Sequence, residues 1–404
     1  MKSRTLMLGE TILLLGVATW LAYSGMNISP NYKHTNSQVE AISEKANLNL
    51  TVLNLEKAFP SYTLYPVTGD EEVQLLNFYG NVVHTWKVDA TRARLLPNGN
   101  LLVVHGSKWG LNHEPWKSLR ATVREYDWNG KIVWEYTASD IIHHDVQRLE
   151  NGNTIFPVRE IVPEEAKSKI KDSNRREMEI RSDKIVEVSP TGKVVWEWSA
   201  HEHLDLNECG KPGCRNESGA ANALDRLSDW THINTTTIIP ENKWYDAGDA
   251  RFKPGNIITL PRNWWTTFIV DKESKKVVWE YLGDYKGGVS GGHDPYMVEK
   301  GLPGEGNILL FDNGRIIHKG ESYILEINPS TKELVWVYDM GTDFFSRSAG
   351  SVQRLPNGNT FISEDVAGRM LEVTPDKEVV WEFRGQDKTS RAFKYPIGYA
   401  PQLR

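Results

Sequence analysis

Three histidines stand at the front of three successive β-rich repeats: His144 in "HHDVQRLENGN", His232 in "DWTHINTTTII" and His293 in "GGVSGGHDPYMV". Aligned on the Asn-Gly turns and on the starts of the strands, they share one position, which carries Thr91 in "TRARLLPNGN" and Gly350 in "AGSVQRLPNGN". The repeat itself therefore does not demand imidazole there. A lone histidine at a strand start ordinarily satisfies backbone groups, but three at one repeat position point to a shared site. Converging imidazoles make either a metal centre, since three histidines and a water form a catalytic zinc set, or an anion pocket. Arg262 in "PRNWWTTFIV" is expected on the second strand of the His232 repeat, facing the same mouth. A guanidinium repels a cation and pairs with an oxyanion. The sequence thus predicts a pocket for a tetrahedral anion such as phosphate or sulfate, without a metal.

Other polar residues stand outside this group. His84, His105, His113 and His318 have no companions and are read as structural, and "HEH" at 201–203 is read as part of a solvated insertion. Asp294, directly after His293, is placed either to orient the ring or to cap a turn. The glycine-rich cradle G-x-x-x-x-G-K-[ST] is absent, which agrees with a ligand that is not a nucleotide.

A cluster of this kind needs a scaffold that aims its repeats at a common centre. Beyond residue 60 the chain supplies one. Apolar pairs precede a tryptophan in "NVVHTW" (81–86), "KIVWEY" (131–136), "KVVWEW" (193–198), "KVVWEY" (276–281), "ELVWVY" (333–338) and "EVVWEF" (378–383). Turn-then-strand signals recur in "LLPNGNLLVV", "RLENGNTIFPV", "KPGNIITL", "LPGEGNILLF" and "RLPNGNTFIS", and Asn-Gly between β-rich runs is a strong hairpin signal. Each unit reads as a four-stranded antiparallel meander, and the series as propeller blades. Six tryptophan strands but five inner hairpins occur, and "SRAFKYPIGYAPQL" (390–403) follows the last of them. A ring closed by both terminal segments in one blade resolves the count. The expected fold is all-β, a six-bladed propeller over residues 61–404, with the C-terminal segment supplying inner strands to the blade begun at residues 62–86. Sharing a blade also removes exposed strand edges.

The 404 residues carry a net charge of −6 with 25% charged side chains, the profile of a folded soluble body with no reason to expect nucleic acid. After "MKSR", residues 5–26 are apolar apart from Glu10 and a few small polar residues. Crossing a bilayer takes about 20 apolar residues, so residues 1–26 are predicted to hold a transmembrane helix with Glu10 at headgroup level. Lys2 and Arg4 hold the short end in the cytoplasm. The rival is a cleaved signal peptide, since "AYS" loosely resembles a cleavage site. Both put the main body on the extracytoplasmic side, in the periplasm or at the cell surface, with residues 27–60 as a polar tether. Cys209 and Cys214 lack the two further ligands a thiolate metal site needs. In an oxidising compartment they are expected to close a small disulfide loop.

In order, "HHDVQRLENGNT", "DWTHINTT", "GGHDPYMV…NILLFDNG", "GSVQRLPNGNTFI" and "RAFKYP" resemble the bacterial-type arylsulfotransferases, six-bladed propellers independent of phosphoadenosine phosphosulfate. The resemblance covers about residues 60–404. It implies transfer of a sulfuryl group from an aryl sulfate to a phenol in two steps, with no cofactor. Carried over by position, it makes His293 the nucleophile, transiently sulfated, and makes His144, His232, Asn234 and Arg262 the groups that bind the sulfuryl oxygens. A neutral imidazole nitrogen is a competent nucleophile at about pH 7, where a phenol is mostly protonated. Trp230, Trp264 and Trp265 become candidates to stack on aryl rings, against their ordinary role of packing between blades. Gly292 stands where family members commonly have glutamine, "RNWWTT" is bulkier than the usual arginine motif, and the tether leaves no room for the extra N-terminal β-domain of some members.

The expected function is therefore an aryl-sulfate sulfotransferase tethered to the membrane through residues 5–26, with aryl sulfates and phenols as its small-molecule partners. The alternative is a non-catalytic tethered propeller that binds a partner or serves a membrane complex as an accessory subunit; a homo-oligomer fits either. A quinoprotein-like oxidoreductase, suggested by "TGKVVW", needs clustered carboxylates for calcium and quinone that the sequence does not offer.

Overall fold

Six antiparallel sheets stand side by side as blades in the computed structural model, which describes residues 46–214, 228–385 and 387–404. The first blade is built from Ser61–Thr68, Glu71–Leu76 and Val82–Trp86. Its inner side is completed by Lys388–Thr389 and Phe393–Pro396, both paired with Ser61–Thr68. The second blade runs outward from Arg92–Leu95 to Ile132–Thr137, and the third from Gln147–Arg148 to Val194–Ser199. The fourth runs from Ile233–Ile238 to Val277–Tyr281, the fifth from His293–Met297 to Leu334–Tyr338, and the sixth from Ser351–Arg354 to Val379–Arg384. The ring is closed in its first blade by the C-terminal segment, as the strand count requires.

One strand lies where the sequence predicts only tether. Leu50–Leu53 adds a fifth strand outside the sixth blade, paired with Val379–Arg384. Ala58 and Phe59 then join the sixth blade's core, so the compact unit begins at Ala46 rather than at residue 61. Four β-prone residues in an Asn-rich stretch are too short a run to register as a strand from pattern alone. The anchor expected at residues 5–26 lies outside the described residues. Among the described residues, no helix is long and apolar enough to cross a membrane.

The tryptophan periodicity has a mechanical cause. Each outer-strand indole donates to a backbone carbonyl in the turn before the next blade's outer strand. Trp86 Nε1 reaches Asp127 O (3.0 Å), Trp134 reaches Pro190 O (2.8 Å) and Trp196 reaches Lys272 O (2.8 Å). Trp279 reaches Pro329 O (2.8 Å), Trp336 reaches Pro375 O (2.7 Å), and Trp381 reaches Phe78 O (2.9 Å), joining the last blade to the first. Each bond contributes about 1 kcal/mol net, and the apolar packing between neighbouring blades supplies the larger share. In the turns of three inner hairpins, Gly99, Gly152 and Gly358 take φ of 86°, 83° and 90°, a region where a side chain would be strained.

A buried ion pair fastens the closure. Lys394 Nζ, on the closing strand, lies 2.6 Å from Glu372 of the sixth blade, with both side chains at most 1% exposed. The same carboxylate accepts from Phe59 N (2.7 Å) and Asn359 Nδ2 (2.6 Å). Glu372 therefore gathers the N-terminal segment, the sixth blade and the closing strand at one point. Cys209 and Cys214 form a disulfide, with Cα atoms 5.0 Å apart.

Candidate active site

A cavity of about 920 Å³ opens at the mouth of the channel, and His144, Arg262 and His293 are among the residues lining it. His232 packs beside His144, with ring centroids 4.8 Å apart. The backbone delivers these residues through an unusual conformation. His144, His232, Asp294, Ala349 and Arg391 all take left-handed φ, between 52° and 64°, a region that costs a non-glycine residue about 1–3 kcal/mol. In the fifth blade the left-handed residue is thus Asp294, the one after His293. By strand pairing His293 keeps the place the sequence alignment gives it: it stands four residues before Met297, which pairs with Ile308, as His144 stands four before Arg148, which pairs with Thr154.

The orientation of His293 is set by an amide. Asn313 Nδ2 donates to Ser346 O (2.8 Å) and Ala349 O (2.7 Å), which turns its Oδ1 toward His293 Nδ1 at 2.5 Å. An amide oxygen only accepts, so His293 Nδ1 carries the proton and Nε2 keeps a lone pair. Burial, then the Arg391 guanidinium, with Arg262 and His232 behind them, push this imidazole well below its ordinary value against the opposing bond from Asn313. It is a neutral base in cationic surroundings.

Carboxylates back the other two imidazoles, directly for His232 and through His143 for His144. His232 Nδ1 lies 2.5 Å from Asp229 Oδ2, which assigns its proton to Nδ1 and leaves Nε2 buried with no hydrogen-bond partner among the described residues. Burial, then Arg262, lower the His232 pKa while Asp229 opposes them. Arg262 follows the second strand of the fourth blade rather than lying on it. Its backbone N–H donates to His232 O (3.1 Å), and its guanidinium lies 3.9 Å from Asp229. His144 leans instead on its neighbour: His144 Nδ1 and His143 Nδ1 are 2.8 Å apart, and His143 Nε2 lies 2.9 Å from Asp183 Oδ1. The carboxylate keeps a proton on His143 Nε2, so the two Nδ1 atoms share one proton. Where it resides decides whether His144 Nε2 accepts or donates.

Beneath the cavity a buried ion network crosses the channel. Arg92 of the second blade bonds Asp145 (2.9 Å) and, from the facing fifth blade, Asp294 (3.2 Å). Burial alone would raise the Asp145 pKa, but Arg92, Arg94 and Arg391 hold it down to about 2. Asp294 is thus engaged with arginines and takes no part in orienting the His293 ring. Asn234 is fully buried behind the wall: its Nδ2 donates to Gly292 O (2.9 Å), next to His293, and its carbonyl accepts from Arg391 (2.6 Å). A Cβ at Gly292 would stand 3.0 Å from Val289 and 3.2 Å from Leu260, so this wall has no space for a larger residue.

The tryptophans considered for aryl stacking do not line the cavity. Trp230 and Trp264 pack edge-on at 5.5 Å within an apolar cluster, and Trp265 is buried. Among the described residues no group of three or more His, Cys, Asp or Glu is arranged to hold a metal ion. Residues that the sequence reading missed complete the site: Asn313, Asp229, His143, Asp183 and above all Arg391. Arg391 comes from the closing segment, donates to Asn234 O and carries a buried Nη1 with no hydrogen-bond partner among the described residues. Of the histidines read as structural, His105 does line the cavity, but both its nitrogens are occupied, by Asp89 O (2.8 Å) and Tyr126 OH (3.1 Å).

A family model described as arylsulfotransferase (ASST) matches residues 116–386. No curated protein matches the chain. Solved structures of similar fold include a protein of unknown function from Bacteroides caccae, with a TM-score of 0.50 and 11% identity over 83% of this chain and 98% of that one. A streptogramin B lyase gives 0.43 and 12% over 84% and 88%, and the dihydro-heme d1 dehydrogenase NirN gives 0.42 and 12% over 87% and 78%. At these identities the likeness is one of fold alone.

Proposed function

The chain belongs to the arylsulfotransferase family, and from that membership we propose that its cavity passes a sulfuryl group from an aryl sulfate to a phenol through a sulfated His293. The observation that carries this reading is the His293 ring, neutral, with Nδ1–H held by Asn313 and a free Nε2 lone pair among cations. In the first step a bond forms from Nε2 to sulfur as the aryl oxygen–sulfur bond breaks. The leaving oxygen departs with the electron pair as a phenolate. In the second step the acceptor phenol loses its proton to a base, its oxygen attacks sulfur, and the nitrogen–sulfur bond returns its electrons to His293. The proton ends on the released phenolate, so the balance is one aryl sulfate and one phenol exchanged for another pair.

An amide suits the nucleophile better than a carboxylate would. A carboxylate at Nδ1 favours the protonated ring, whereas the neutral Asn313 fixes the tautomer while its opposing effect is outweighed by burial and Arg391. Arg262 and Arg391 bear on the three sulfuryl oxygens, where negative charge gathers as the group moves. His232 presents Nε2 to the same group and donates once the sulfate's charge offsets that of Arg262. His144 carries the acceptor's proton, because the proton it shares with His143 lets its Nε2 act as base and then as acid. Asn234 acts through others: it fixes the Gly292 carbonyl and Arg391. The propeller is placed on the extracytoplasmic side, which the Cys209–Cys214 disulfide supports.

Incubation with 4-nitrophenyl sulfate, followed by intact-mass analysis and peptide mapping, tests the reading. One sulfuryl adduct on His293 is expected, discharged by added phenol and absent from His293→Ala. An adduct elsewhere, or nitrophenol release that survives the substitution, would refute it.

A further inference from the structure

We propose that the mouth of the cavity binds a second anionic group through Arg315 and Arg347, so that the donors are aryl sulfates whose ring carries another acidic substituent. This deepens the sulfuryl-transfer reading above and rests on it. Its starting point is the cavity wall. The lining residues include eight arginines and lysines against two carboxylates, and no Phe, Tyr or Trp. A cavity for plain aryl rings would be expected to offer aromatic or aliphatic walls. This one offers four aliphatic side chains, Leu111, Ile141, Ile142 and Val366, and twice as many cations, in a chain whose net charge is −6.

The two carboxylates do not neutralise the mouth. Asp229 is engaged with His232, and Asp365 accepts from Gly350 N (2.7 Å) and Arg391 N (2.9 Å). The inner guanidinia have partners of their own: Arg181 bonds Ser228 (3.4 Å) and Arg391 bonds Asn234 O (2.6 Å). Arg315 and Arg347 differ. Neither guanidinium has a hydrogen-bond or carboxylate partner among the described residues, although Arg315 is only partly exposed. Burial, then the charge of Arg347, lower the Arg315 pKa, as expected of two like charges held together without a counter-ion. An anion between them relieves both costs.

Their place in the chain ties this pair to the reacting centre. Arg315 stands two residues after Asn313, and its backbone N–H donates to Ser290 O (3.2 Å), three residues before His293. Arg347 lies between Ser346 and Ala349, the two residues whose carbonyls hold the Asn313 amide. Both arginines thus sit on the loops that orient His293. The sulfuryl group of a bound donor faces Nε2, Arg262 and Arg391, and a carboxylate, sulfonate or second sulfate on its ring falls to the outer pair. Paired guanidinia suit such oxyanions, which accept two parallel N–H bonds.

The test compares 4-(sulfooxy)benzoate with its methyl ester as donors to the full chain, reading kcat/KM for phenol release and the His293 adduct by intact mass. The ester has the better leaving group, so a preference for the acid reports binding. We expect the wild type to favour the acid about tenfold, the scale of one charge-assisted hydrogen bond to a partly exposed group, and the preference to shrink as salt rises. Arg315→Met with Arg347→Met should bring the acid-to-ester ratio to one or below, and the two Arg→Lys changes together should restore part of it. An acid-to-ester ratio of one or less in the wild type, or a preference that survives the double Met change, overturns the subsite while the adduct still forms. Failure of both donors to sulfate His293 overturns the transfer reading instead, and the subsite with it.

Discussion

Replacing Asn313 by alanine tests the bond that sets the tautomer of His293, the proposed nucleophile. The change removes three hydrogen bonds: the acceptor at 2.5 Å from His293 Nδ1 and the donations to Ser346 O and Ala349 O at 2.8 and 2.7 Å. His293 is 3% exposed, so its Nδ1–H loses its partner with little water to replace it. An unsatisfied buried donor costs about 1–3 kcal/mol. The ring escapes that cost by moving its proton to Nε2, which removes the nucleophilic lone pair. Reaction then requires the disfavoured tautomer, and the same 1–3 kcal/mol appears in the barrier to sulfation. That corresponds to a fall of about 5- to 150-fold in the single-turnover rate. Rapid mixing with 4-nitrophenyl sulfate, following the nitrophenol burst and the adduct mass together, measures it. The variant should reach the same final adduct slowly, whereas His293→Ala reaches none. Asn313→Ala sulfating at the wild-type rate, with a native near-ultraviolet spectrum, would show that the amide does not set the tautomer.

Arg391→Met removes a charge that opposes protonation of His293, so the acid limb of the pH–rate profile should move up toward 6.5, the ordinary imidazole value; an unmoved limb would show that Arg391 does not act on the nucleophile. Lys394→Met leaves Glu372 buried without its ion partner and should cost about 3–5 kcal/mol in denaturant unfolding, which a melt equal to the wild type would contradict. Reducing Cys209–Cys214 opens a loop with a sequence separation of 5, for which chain entropy gives about 2 kcal/mol; the loss should appear in the melt of a Cys209→Ser, Cys214→Ser chain. Burial holds His105 at about 4, from 6.5, and His144 and His293 shift the same way. Between those values the unfolded chain binds protons that the fold refuses. The fold is therefore favoured fully above 6.5 and loses stability as pH falls below it, down to about 4 for His105. Calorimetric melting temperatures across that range should fall with pH, and part of the fall should disappear in His105→Gln.

The fold was legible because its repeats carry their own punctuation. Each outer strand ends near an indole that the next blade needs, and several inner strands follow an Asn-Gly turn, so blade number and closure could be counted. Leu50–Leu53 carries neither mark, since its outer edge meets no further blade. The site was legible where blades repeat one another: His144, His232, His293 and Arg262 stand out by position. Arg391 occupies the corresponding place in the first blade, but its strand comes from the closing segment and has no Asn-Gly turn to align. Asn313 hides in "FDNG", a turn signal by composition, and its amide matters through carbonyls 33 and 36 residues away. Adjacent histidines such as His143 and His144 are indistinguishable until the backbone turns one toward the cavity and the other toward Asp183.

Placing Arg391 on the closing segment has a consequence for how the protein matures. Residues 388–396 leave the ribosome after every other inner strand, and they bring both the last wall of the cavity and a cation that, after burial, helps to hold the His293 pKa down. A nascent or clipped chain that stops short of them can hold several finished blades and still be chemically silent. On the proposed mechanism, competence would arrive in a single event, when the tail docks, with no separate inhibitor needed against premature reaction with sulfate esters.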